Sequence, residues 1–268
     1  MKNTLMGLAL AACAAWQGAH AQTCTGRSPA HTVALLELYT SEGCSSCPPA
    51  DRYVSALRAS GVTPSQAVPL SLHVDYWNDI GWTDPYSSAV FTERQRRLAA
   101  LVKSRTVYTP EVFVGARELR DWSAGVPDAV RRINAMPAQA SIGITLGPPT
   151  TAGLPVEVTS TGPNGALLQV ALVHNKVTSK VGAGENRGRT LHHDYVVRQW
   201  LEALPIGSSG HVKLARVLAL PAGVPVADLA VTAFVESARG EVLQAFSLPA
   251  CAAPAEEKRN LSSKGGSN

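Results

Sequence analysis

The chain has 268 residues, of which 45% are hydrophobic and 16% charged, with a formal net charge of +4. That length suits two ordinary domains or one large one, with a real core. The charge is mild and forms no long basic block, so nucleic acid is not an expected partner.

The first residues read as an export signal. Lys2 is a positive start, Leu5 to Ala15 an apolar run, and Ala19-His20-Ala21 a small-x-small cleavage site. The expected boundaries are a signal at 1–21 and a mature chain from Gln22, periplasmic or secreted. The run is too short to span a bilayer, and no later stretch is long and apolar enough to do so. A rival reading is a lipobox, Leu10-Ala11-Ala12-Cys13, which would anchor the protein through Cys13. After cleavage at Ala21, Cys24, Cys44, Cys47 and Cys251 remain. An even number in an oxidising compartment suggests two disulfides, in one of three connectivities. The simplest pairs Cys44 with Cys47 and Cys24 with Cys251. Free or buried thiols are the competing reading.

Val33 to Tyr39 is a near-continuous apolar run, as in a buried parallel strand, interrupted by Glu37. It leads into Glu37-Leu-Tyr-Thr-Ser-Glu-Gly-Cys44-Ser-Ser-Cys47-Pro-Pro-Ala-Asp51, and a helical pattern follows to Ala59. Val68 to Val74 is a second strand. His73 to Tyr86 is a polar and aromatic loop. Ser88 to Ser104 reads as a helix whose outer face is basic, with Arg94, Arg97 and Lys103. Val107 to Gly115 is a third strand, Ala116 to Leu119 its returning partner, and Val126 to Ala135 a helix with Pro127 in its first turn. The order β-α-β-α-β-β-α over 22–137 matches a thioredoxin fold.

After Pro137 the texture changes. Short β-like runs alternate with turn residues: Ala140–Leu146, Pro155–Ser160, Leu167–Val173, Leu191–Leu201, His211–Ala219, Ala230–Glu236 and Val242–Leu248. These predict an all-β sandwich over 138–251. Val177 to Arg189, rich in Gly and charge, reads as a long exposed hairpin loop. Residues 252–268 read as a disordered tail. The expected fold class is therefore an α/β thioredoxin-like domain followed by an all-β sandwich.

The dithiol stretch, together with His73-Val-Asp-Tyr-Trp77, Gly81-Trp82, Val107-Tyr-Thr-Pro110 and Arg187-Gly-Arg-Thr-Leu191, resembles a secreted bacterial thioredoxin-like family catalogued as domain of unknown function 1223. The resemblance implies a fold and a site but no substrate. It implies that Pro110 is a cis-proline facing the dithiol, with Thr109 offering backbone groups to a substrate chain. It also implies that Glu37 resembles the buried acid that shuttles a proton for the second cysteine of thioredoxin.

The residues themselves support a chemistry. Two cysteines two residues apart, where a strand hands over to a helix, read as a redox dithiol. The unpaired N–H groups and positive dipole end of the helix stabilise a thiolate, so Cys44 is the nucleophile, exposed at the helix start. Cys47 then resolves the mixed disulfide. Pro48 and Pro49 fall where a missing N–H costs least. Alternation puts Glu37 on a buried face, where desolvation raises its pKa. His73, Asp75, Trp77 and Trp82, in a loop at the carboxyl end of a strand, are candidate substrate-binding residues. No metal is expected. His73 and Asp75 are too few ligands, and His192 and His193 fall on opposite faces of a strand.

The function these features predict is thiol–disulfide exchange on protein thiols or disulfides of the cell envelope, with an unidentified electron-transfer partner and no cofactor. The alternatives are a non-catalytic binding module stapled by Cys44–Cys47, and a periplasmic copper or zinc handler.

Overall fold

The computed structural model describes residues 23–251; the signal segment, Cys13 and the tail at 252–268 lie outside them. In chain order the elements are β1 (Cys24–Arg27), β2 (Ala34–Thr40), α1 (Pro48–Ala56), β3 (Ala67–His73), α2 (Ala89–Leu101), β4 (Glu111–Val114), β5 (Arg117–Glu118), α3 (Trp122–Asn134), β6 (Ser141–Leu146), β7 (Leu154–Thr161) and β8 (Leu167–His174). Then follow β9 (Val177–Lys180), β10 (Thr190–His193), β11 (Val196–Trp200), β12 (Leu204–Pro205), β13 (His211–Leu218), β14 (Leu229–Glu236) and β15 (Val242–Pro249).

The expected fold class is overturned. Strands dominate, only three α-helices form among the described residues, and the two halves share their sheets. A nine-stranded sheet runs β15-β14-β8-β11-β3-β2-β4-β5, with β12 paired to β8. Strands β2 and β3, from the first half, therefore lie in one sheet with β8, β11, β14 and β15 from the second. The join is the parallel pair β11–β3, with Val196 opposite Ser71. The sheet curls until β15 reaches the start of β2, where Gln244 Oε1 accepts the Val33 N–H at 2.9 Å. Conversely, β1 leaves the first half to complete a four-stranded antiparallel sheet, β1-β6-β7-β13. A disulfide between Cys24 and Cys251, with Cα atoms 6.1 Å apart, ties β1 to the second residue after β15.

Burial explains the merger. Every residue of β2 and β14 is buried, so each strand needs cover on both faces. Leu36 and Leu38 pack under α1 and α3, with Val54, Val126 and Val130. Leu35 and Tyr39, on the opposite face, meet Phe91 and Leu98 of α2 and Phe234 of β14. The four-stranded sheet covers the remaining apolar surface of β8 and β14 through Ile142, Ile144 and Val158.

Three local expectations also change. Leu191–Leu201 is two strands, because Tyr195 adopts a left-handed φ of 59° and turns the chain from one sheet into another. Val177–Arg189 is not a free loop, since Val177 to Lys180 pairs with β10 in a separate two-stranded ribbon. Helix α3 starts at Trp122, which places Pro127 inside it rather than in its first turn.

Candidate functional site

Strand β2 delivers the chain to a tight turn in which the Cys44 N–H donates to Ser41 O at 3.1 Å. Cys47 is the N-cap of α1, and Pro48 and Pro49 open the helix where their missing N–H groups are not needed. Cys44 and Cys47 are joined, with Cα atoms 5.5 Å apart. The Thr109–Pro110 peptide is cis, and the Thr109 carbonyl lies 3.7 Å from Cys44 Sγ. Ser46 donates its hydroxyl to the same carbonyl at 3.4 Å. Thr109 and Pro110 thus flank the disulfide. Cys44 is not exposed: both cysteines show 0% of their surface, and only Ser45 and Ser46 between them reach solvent.

Behind the disulfide lies a buried cluster of ionisable groups. Asp51 sits one turn after Cys47 on the same side of α1, and the Thr40 hydroxyl donates to its Oδ2 at 3.2 Å. His193 of β10 stands between Asp51 and Glu42, with ring nitrogens 3.7 and 3.5 Å from their carboxylate oxygens. Among the described residues, both ring nitrogens, Glu42 Oε1 and Asp51 Oδ1 lack a hydrogen-bond partner. Burial pulls the His193 pKa down, but the two carboxylates outweigh it and push it up to about 10. His73 lies beside this ring, with centroids 5.1 Å apart. His73 Nδ1 donates to Asp84 Oδ2 at 2.7 Å. Burial raises the Asp84 pKa, yet His73 and the N–H groups of Glu42 and Tyr86 reverse this and leave it lowered. Two imidazoles and three carboxylates thus gather on the α1 face, incompletely paired.

The tip of the β9–β10 ribbon closes over this region. Asn186, 0% exposed, donates its amide to Glu42 O at 2.9 Å and to Cys44 O at 2.8 Å. Arg189 fixes that amide by donating to Asn186 Oδ1 at 2.8 Å. The Ser45 N–H donates to Glu185 Oε2 at 2.8 Å, which lowers the Glu185 pKa. Trp82 donates its indole N–H to Glu42 Oε2 at 2.9 Å, with its ring against Gly182 and its Cβ against Gly184.

Glu37 is elsewhere. It points to the α2 face, opposite the side on which Asp51 packs. There Arg94 Nη2 donates to its Oε2 at 3.1 Å and Tyr39 donates to its Oε1 at 3.2 Å. Arg94 also donates to Glu236 at 3.2 Å, and its guanidinium stacks 4.8 Å from the Phe234 ring and 5.2 Å from Trp200. Burial lowers the Arg94 pKa, but Glu37, Tyr39 and Glu236 outweigh it and hold it raised. This corrects two expectations. Glu37 is not beside Cys47, and Arg94 is not on an outer basic face, because a buried carboxylate needs a buried cation.

The other candidates are placed as follows. Asp75 accepts from the Thr92 hydroxyl at 2.5 Å, which ties the loop to the first turns of α2. It does not converge with His73. Trp77 is half-buried against Gly43, its indole nitrogen unpartnered. Trp82 is engaged with the ribbon rather than free for a polypeptide. Among the described residues, no group of three or more His, Cys, Asp or Glu side chains is arranged to hold a metal ion, and no helix is long and apolar enough to cross a membrane.

Sequence reasoning missed Glu42, Asp51, Asp84, Asn186 and His193. Glu42 and Asp51 fall within the dithiol stretch. His193 is legible only as the inward member of the His192-His193 pair. Asn186 carries no signal inside a Gly-rich run.

Comparison with known proteins places the site in context. The family described as protein of unknown function (DUF1223) matches residues 35–236. A crystal structure of a protein from Agrobacterium tumefaciens is similar, at 26% identity and a TM-score of 0.56, covering 82% of this chain and 96% of that one. HBP35 of Porphyromonas gingivalis, at 17% identity and a TM-score of 0.58, covers 89% of this chain and 82% of that one, a likeness of fold alone. No functionally curated protein matches.

Proposed function

The chain belongs to the DUF1223 family, and we propose that it carries out thiol–disulfide exchange on envelope proteins through Cys44 and Cys47. One observation carries the reading: a buried, incompletely paired acid–base cluster stands one helical turn behind the disulfide. Buried charges without full pairing destabilise a fold. A disulfide that only stapled the turn would gain nothing from them, whereas an exchanging pair needs a proton store.

In the reducing direction, the Cys44 thiolate attacks one sulfur of a substrate disulfide. That S–S bond breaks, and one substrate thiolate leaves and is protonated. Cys47 loses its proton and attacks Cys44 Sγ, which forms Cys44–Cys47 and releases the second substrate thiol. Two electrons pass to the substrate. Run backwards, the same steps oxidise a substrate dithiol. Asp51, with His193 behind it, is the group suited to take the Cys47 proton, since it shares the buried side of α1 with that cysteine. Glu37 is committed to Arg94. Thr109 and Pro110 flank Cys44 and are suited to receive the substrate chain. Export to an oxidising compartment fits a chain with two disulfides.

The test uses Cys47→Ser in the full chain with a disulfide-bonded test protein. A mixed disulfide through Cys44 should accumulate and be visible on a non-reducing gel. If wild-type protein leaves both reduced and oxidised test proteins unchanged, the pair is a staple.

A further inference from the structure

The disulfide has no exposed surface, yet exchange requires a sulfur of the partner to approach Cys44 in line. Something must move. The candidate cover is the tip of the ribbon, residues 181–189. Three features set it apart from its surroundings. Among the described residues, strands β9 and β10 pair only with each other, so the ribbon has no ladder to either larger sheet. Two-stranded ribbons are the least stable β elements. The tip contains Gly182, Gly184 and Gly188, and the last two have φ of 69° and 80°, so it changes conformation at low cost. The strands below it stay anchored, because Val177, Leu191 and His193 are buried.

What the tip holds is equally telling. The Asn186 amide satisfies the carbonyls of Glu42 and Cys44, and Glu185 satisfies the Ser45 N–H. These are backbone groups of the dithiol turn, of the kind a polypeptide partner would use. The chain occupies them with its own side chains. Trp82 braces the closed position from the other side, packed on Gly182 and Gly184 and bonded to Glu42.

We infer that residues 181–189 form a displaceable cap that shields Cys44–Cys47 and competes with partner polypeptides for the backbone of the dithiol turn. The inference rests on reading that pair as an exchanging one, and it adds how the site is regulated. A small reductant needs only a brief opening of the tip. A protein partner must displace it.

The experiment uses the oxidised full chain with dithiothreitol, which gives two electrons and two protons to the disulfide and becomes a cyclic disulfide itself. Samples are quenched, alkylated and mapped by mass spectrometry, so that Cys44–Cys47 and Cys24–Cys251 are followed separately. Asn186→Ala removes the two buried hydrogen bonds to the turn, together with the one from Arg189, and should speed reduction of Cys44–Cys47 by about 10- to 100-fold. Glu185→Ala removes one exposed bond, cannot threaten folding, and should speed it about threefold. Reduction of Cys24–Cys251 should be unchanged in both. Equal rates for wild type and both variants overturn the cap, and so does equal acceleration of the two disulfides, which marks general loosening. A different result sinks the exchange reading instead: Cys44–Cys47 opens faster in the variants, yet no variant transfers a disulfide to or from a test protein. If wild type exchanges with the test protein as fast as Asn186→Ala does, exchange stands and the cap falls.

Discussion

The two faces of the central sheet bury ionisable groups in opposite ways. On the α2 face, Glu37, Arg94, Arg97 and Glu236 form a chain of bonds in which Arg94 bridges both carboxylates and stacks between two aromatic rings. On the α1 face, Glu42, Asp51 and His193 stay at 3.5 and 3.7 Å, with oxygens and ring nitrogens unpartnered. Equal burial therefore does not mean equal purpose. A saturated network fixes the sheet, whereas the unsaturated one, on the proposed exchange reading, leaves unused hydrogen-bonding capacity beside the disulfide.

The largest expected effect breaks the α2 network. Arg94→Leu leaves Glu37 buried without its cation and Glu236 with Arg97 alone, and should cost about 3–5 kcal/mol in urea unfolding. The exchange rate of the protein that remains folded should be unchanged. A slowed exchange with intact stability would mean that the two faces act together.

Next comes the α1 face. Asp51→Asn keeps the contact with Thr40 but cannot take the Cys47 proton. Resolution should slow by about 10²-fold, with mixed disulfides trapped at Cys44. Glu37→Gln, measured in parallel, should trap nothing. The reverse pattern would return the proton role to Glu37 and erase the contrast between the faces.

How much of this contrast the sequence carries depends on distance along the chain. The dithiol, the two prolines after it and Thr109-Pro110 are local patterns and legible as such. Alternation correctly put Glu37 on an inward face with Leu35 and Tyr39, but periodicity names no partner. Arg94 looked like part of a solvated helical face until the buried carboxylate was seen to draw it in. His193 and Asn186 reach the site from a ribbon whose strands pair with neither larger sheet, and composition alone made that ribbon an exposed loop. The shared sheet was illegible for the same reason. The pairing of Val196 with Ser71 is non-local, and both strands look equally apolar whether they share a sheet or not.

The third effect is a pH dependence from the α1 face. The folded pKa of His193, about 10, lies above the ordinary imidazole value. Its contribution is full below about pH 6.5 and is lost as pH rises through about 10, because the folded state holds the extra proton. Wild-type stability should fall by on the order of 2 kcal/mol across that window, read from urea midpoints, with the long contacts limiting the size. His193→Gln should flatten the slope. An unchanged slope would mean that His193 is neutral in the folded protein and cannot back Asp51.

The smallest effect comes from Glu111, which follows the cis-proline and is buried on the α2 face. Gln95 donates to it at 2.6 Å, while its Oε1 has no partner. Burial pushes its pKa up to about 7; the Gln95 bond pulls the other way and Glu118 adds to the rise. A carboxyl with a raised pKa favours folding while it holds its proton. Its stabilising balance is therefore kept below about pH 4.5 and lost as pH rises through about 7. Above that, an ionised carboxylate sits buried with one neutral donor. Glu111→Gln removes the charge and keeps the shape, so it should stabilise the protein at pH 8 by about 1–2 kcal/mol and change little at pH 4.5. The gain should appear in urea midpoints with no change in the trapping of mixed disulfides. Should Glu111→Gln instead slow exchange at constant stability, the unpaired carboxyl beside Pro110 belongs to the chemistry, and the division between a structural and a reactive face does not hold at that edge of the sheet.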